Sequence, residues 1–137
     1  MAPISVSVQV QDPPVGVVTL IGEHDTFSAK RLENELAVLL DDGVGVVVDL
    51  RDATFIDSQD LSVLLAARRQ AEEADLGFCL VLRADDYTQV HRLLDLTGLV
   101  SAFAVLATIE AACSAVRAGR ADAGGRARTG GKEARRR

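Results

Sequence analysis

An α/β fold, with a mostly parallel or mixed five-stranded sheet and helices packed on it, is predicted by three observations. Apolar runs of strand character alternate with leucine-rich segments of helical spacing, in the order ββαβαβαβα. Val46, Val47 and Val48 form a β-branched run that reads as a strand buried on both faces. From Leu61 onward the spacing becomes Leu61, Leu64, Leu65, Ala71, so the period switches from strand to helix at about Asp57. Alternating strands and helices need right-handed crossovers, which make the sheet mostly parallel and cover at least one of its faces.

Residues 4–10 and 15–21 read as two strands around Asp12, Pro13 and Pro14, a turn composition that points to an antiparallel hairpin. Residues 28–40 follow as a helix with Leu32, Leu36, Leu39 and Leu40 on one face, Asp25 or Thr26 near its start and Gly43 as its stop. Residues 44–49 form the central strand and residues 58–74 the second helix. After a break at Gly77, residues 78–82 are a strand, 87–96 a short helix and 102–105 the last strand. Residues 108–117 are a final helix capped by Thr108. There is no internal repeat.

Ser58 stands in the first turn of the second helix. Backbone N–H groups there have no intrahelical partner and the macrodipole is positive, so a phosphate on Ser58 suits its own helix. The alternative is a purely structural start, because Ser and Asp are common at helix N-termini and Asp57 with Asp60 is close to a capping box made of carboxylates. Asp60, two residues from Ser58, could mimic a phosphate or deter a kinase; as a first-turn acid it would simply favour the helix. The stripe Gln59, Val63, Ala66, Ala67 and Gln70 is small and modestly apolar, a face that admits a close partner.

Three segments carry a family resemblance. FIDSQDLSVLL resembles the phosphorylation-site signature of the STAS family (sulphate transporters and anti-sigma-factor antagonists), usually Asp-Ser-Ser/Thr-Gly-Leu after an aromatic or aliphatic pair. TLIGEHDTFSAKRLENEL is similar to that family's Gly-Glu-Leu-Asp turn and the helix after it, and DLTGLVSAF to its Leu-x-x-x-Gly-Leu-x-x-x-Phe segment. The segments run from Thr19 to Phe103 and the resemblance covers about Val6 to Arg117, with Gln59, Asp60 and His24 departing from the usual residues. The resemblance implies a STAS-like domain over residues 1–118 and a non-enzymatic anti-sigma-factor antagonist. Its partner would be an anti-sigma factor of the serine kinase type that phosphorylates Ser58, with a PP2C-type phosphatase reversing the modification. Docking through the second helix and the adjoining loops would put His24, Asp25, Asp57, Gln59, Asp60, Ser62, Val63, Ala66 and Ala67 at the partner surface. The competing reading is a constitutive STAS interaction or scaffold subunit, in a stress-signalling complex or as a lipid-transport accessory, or a thiol-redox sensor.

Composition narrows the classes further. The chain has 137 residues, 48% of them apolar, enough for one core. Aromatic residues are 4%, without Trp, which argues against a base-stacking surface. Residues 119–137 hold seven basic and two acidic residues, so this segment carries +5 and residues 1–118 carry −10 of the overall −5. An acidic body repels nucleic acid and favours partners with basic surfaces. The tail has little to bury and is expected to be disordered. No apolar stretch reaches the 18 or so residues of a membrane span, so a cytoplasmic protein, a monomer or weak homodimer, is expected. Cys79 and Cys113 read as buried small hydrophobes, with a regulatory disulfide as the alternative. His24 and His91 are too scattered for a zinc site, and no phosphate loop, GxSxG or GxGxxG motif points to catalysis or to a cofactor.

Overall fold

The computed structural model describes residues 3–11 and 13–119; the basic tail, from Arg120 on, lies outside them. Strands β1 (Ile4–Gln9) and β2 (Val15–Leu20) are followed by a two-residue strand β3 (Gly22–Glu23), helix α1 (Thr26–Asp41), strands β4 (Gly45–Asp49) and β5 (Ala53–Phe55), and helix α2 (Ser58–Glu73). Strand β6 (Phe78–Val81), helix α3 (Gln89–Thr97), a 3-10 turn (Val100–Ala102), strand β7 (Ala104–Leu106) and helix α4 (Ile109–Arg117) complete the described chain. The main sheet has five strands in the order β1-β2-β4-β6-β7. Only the β1–β2 pair is antiparallel; β2–β4, β4–β6 and β6–β7 are parallel.

Every residue of β4 and β6 is buried, as the unbroken apolar runs require of strands covered on both faces. On one face Val18, Leu20, Val46, Val48, Phe78 and Leu80 pack with Leu32, Leu36, Leu64 and Leu94 of α1, α2 and α3. On the other, Val15, Val17, Val47, Cys79 and Val81 pack with Ala112, Cys113 and Val116 of α4. Each fully buried Val or Leu contributes about 1.5–3 kcal/mol. The close seat of α4 depends on Gly77, where a Cβ would stand within 3 Å of the Val116 backbone, so no side chain fits.

The elements follow the sequence reading with shifts at their ends. Helix α1 begins at Thr26 because Asp25 caps it, and α3 begins at Gln89 because Thr88 and His91 form its capping box. The last strand starts at Ala104, since residues 100–102 form the 3-10 turn. Strands β3 and β5, absent from the sequence reading, pair in parallel as a small second sheet.

Candidate partner-docking site at the start of helix α2

The route from β4 into α2 is held from four sides. Asp49, 5% exposed at the end of β4, receives both arms of the Arg51 guanidinium at 3.0 Å, a forked pair that fixes the turn. Arg83 donates to the Arg51 carbonyl (2.9 Å) and to Asp52 (3.1 Å). Pairing with β3 adds backbone bonds from Gly22 N–H to Asp52 C=O (2.9 Å) and from His24 N–H to Phe55 C=O (2.8 Å). The Gln89 amide spans the backbone of buried Ile56, accepting from its N–H (2.9 Å) and donating to its C=O (3.0 Å). Sequence reasoning missed Gln89. It lies 33 residues away, and no local pattern marks it.

Asp57 is the N-cap of α2. Its carboxylate accepts from the N–H groups of Gln59 and Asp60, each at 3.0 Å, while the Asp60 carboxyl accepts from the Asp57 N–H at 3.0 Å. The carboxylate capping box read from the sequence is therefore present. Ser58 is exposed at the first helical position and takes no part in the box, so capping does not account for its hydroxyl.

Three residues expected at the partner surface are buried instead. Asp60 is 0% exposed; one oxygen serves the cap, and the other, Oδ1, has no hydrogen-bond partner. Burial, reinforced by the Asp57 and Asp25 carboxylates, pushes its carboxyl up to about 7. It cannot act as a surface phosphate mimic. His24 is likewise 0% exposed, with Nε2 donating to the Ile21 carbonyl (3.1 Å) and Nδ1 bonded to Ser28 Oγ (3.2 Å). Burial lowers its pKa, so it is a neutral core imidazole. Ala67, 6% exposed, falls on the buried stripe Asp60, Leu64, Ala67, Ala71, one helical step from the outward face.

The remaining residues come together. A groove of about 290 Å³ runs between α1 and α2, lined by Ala29, Lys30 and Glu33 on one side and Gln59, Ser62, Val63 and Ala66 on the other. Its α2 wall starts one residue after Ser58. Asp25 is exposed, and its side chain caps α1 through the N–H groups of Phe27 (3.0 Å) and Ser28 (3.3 Å). Small side chains along the α2 wall leave room for a partner to approach the backbone closely.

Cys79 and Cys113 are both free and buried in the core beneath α4. Burial pushes the Cys79 thiol up to about 12 and raises that of Cys113, which keeps both as unreactive thiols. The two cysteines are the buried small side chains read from the sequence, and the alternative redox role has neither a disulfide nor a thiolate to work through. His91 closes the α3 cap and bonds to the Arg83 carbonyl (2.9 Å), leaving neither histidine to activate Ser58. Among the described residues, no group of three or more His, Cys, Asp or Glu could hold a metal ion, and no helix is long and apolar enough to cross a membrane.

Comparison with known proteins places this geometry in a family. Residues 6–112 match the STAS domain, and the chain belongs to that family. It is 32% identical over 123 residues to the anti-sigma-F factor antagonist RsfB of Mycobacterium tuberculosis, an alignment covering 88% of this chain and 98% of RsfB. The crystal structure of an anti-sigma factor antagonist from Mycobacterium paratuberculosis superposes with a TM-score of 0.68 at 32% identity, covering 84% of this chain and 95% of that one. The anti-sigma factor antagonist SpoIIAA in its unphosphorylated form shares the fold, with a TM-score of 0.63 at 17% identity over 84% of this chain and 98% of its own.

Proposed function

We propose that this protein is an anti-sigma-factor antagonist with no chemistry of its own, which docks through the start of α2 and the α1–α2 groove onto an anti-sigma factor of the serine kinase type. Phosphorylation of Ser58 by that partner ends the binding, a phosphatase restores it, and the bound state frees a sigma factor for transcription. The observation that carries this reading is the exposed Ser58 hydroxyl, relieved of capping by Asp57 and set beside a groove walled by small residues. A phosphate adds roughly 1.5 to 2 negative charges and suits the helix N-terminus. Pressed against a docked protein next to Asp57, the same charge is uncompensated and costs several kcal/mol.

The test uses the kinase-type protein that co-purifies with the full chain. With ATP, intact-mass analysis should show one phosphoryl group, mapped to Ser58 and absent from Ser58→Ala. Binding to Ser58→Ala should equal the parent, and binding to Ser58→Glu should fall more than about a hundredfold. Equal binding of Ser58→Glu and Ser58→Ala would instead identify a constitutive binding subunit.

A further inference from the structure

We propose that two copies of this chain associate through the open edge of β1, their strands pairing antiparallel so that the two five-stranded sheets become one. Strand β1 is the outer strand of the sheet, six residues long, whereas the opposite edge, β7, has only three. Its hydrogen-bonding parity is set by the neighbour. The Ile21 N–H donates to the Pro3 carbonyl (3.2 Å), and bonded residues alternate along an antiparallel pair, so Ser5, Ser7 and Gln9 bond β2. The N–H and C=O groups of Val6 and Val8 therefore point away from the sheet. The Ile4 carbonyl obeys the same parity: it points outward and accepts from Arg31 (2.9 Å).

Beyond that Arg31 contact, strand β1 itself carries none of the usual protection of an edge. Residues 4–9 contain no charge, no proline and no bulge against β2, the devices by which edge strands avoid pairing. Val6 is 39% and Val8 47% exposed, and Val38 of α1 adds an apolar side chain at 58%. Val38 lies two helical turns beyond Arg31, which reaches β1, and about 80–180° around the helix from Ala29, Lys30 and Glu33, which line the α1–α2 groove. The patch therefore faces away from the α1–α2 groove.

A second copy is the occupant that matches. Around a two-fold axis at Ser7, Val6 of each copy meets Val8 of the other as a bonded pair, giving four backbone hydrogen bonds, and Ser7 faces Ser7. The Val6-Ser7-Val8 triplet reads the same in both directions. Valine therefore meets valine on one face and hydroxyl meets hydroxyl on the other. Residues 1–118 carry −10, so two copies repel at long range while their paired strands are uncharged. Salt that screens beyond about 10 Å should strengthen this contact, whereas docking of a basic partner would weaken. The dimer would leave both Ser58 helices accessible and is independent of the function proposed above.

The experiment is sedimentation velocity on the full chain, from micromolar to about 1 mM, at about 0.05 and about 0.5 M NaCl. A reversible dimer that tightens with salt is expected. Val8→Pro removes an outward N–H and leaves the bonds to β2 in place, so it should weaken the dimer at least tenfold without lowering the thermal midpoint. Val6→Lys should do the same by adding charge to the edge, and carries the test if Val8→Pro disturbs the fold; Val8→Thr should still dimerise. A chain that stays monomeric in both salts, a dimer that survives both Val8→Pro and Val6→Lys, or one that weakens with salt would overturn the proposal.

Discussion

Replacing Asp60 by Asn should remove a pH-dependent component of stability built into the start of α2. The Asp60 carboxyl is fully buried and raised from an ordinary value of 3.8 to about 7. A folded-state pKa above the unfolded one means the native protein holds the proton more tightly. The stabilisation is therefore complete below pH 3.8 and is lost as pH rises through about 7. Three units correspond to about 4 kcal/mol, and more than half of it develops as pH falls from 8 to 5. His24 works in the opposite direction, since its lowered pKa means stability is lost as pH falls below its ordinary 6.5. The parent alone would show a mixture of the two. The difference in thermal midpoint between parent and Asp60→Asn cancels the His24 part, and should shift in favour of the parent by about 10 °C between pH 8 and pH 5. Circular dichroism melts at four pH values measure it. A difference that stays constant across that range would refute the reasoning and show that Asp60 is ionised in the native state throughout.

Ala66→Arg, in the groove wall, should abolish partner binding while leaving the melt unchanged, whereas Ala67→Arg, one residue on, should lower stability by 3 kcal/mol or more, roughly, because it forces a charge into the core; urea titration separates the two. Gln89→Ala should cost about 1–3 kcal/mol by leaving the Ile56 N–H and C=O without their partner, and faster amide exchange at Ile56 would report the loss. Gly77→Ala should cost about 2 kcal/mol or more, seen as a lower denaturation midpoint, because α4 must move off Val116 to admit the methyl group.

Most local elements, and the caps of α2 and α4, were legible in the sequence, because they depend on short-range causes. The valine run of β4, the leucine stripes of α1 and α2, and the Asp57–Asp60 capping box each lie within a few residues of one another. The exposed hydroxyl at Ser58 followed from the same reading, and the family followed from three ordered motifs. What only the tertiary structure decided was which side chains near that hydroxyl reach the surface. Asp60 lies two residues from exposed Ser58 and is fully buried, since two helical steps turn a side chain by about 200°. Whether that turn meets solvent or core depends on where the neighbouring elements sit. His24 is likewise inside because β3 pairs with β5, a contact between segments 30 residues apart that their two- and three-residue lengths gave no periodicity to announce. The Gln89 clamp on Ile56 and the α1–α2 groove are products of the same packing: side chains distant in sequence meet only once the sheet has ordered its helices.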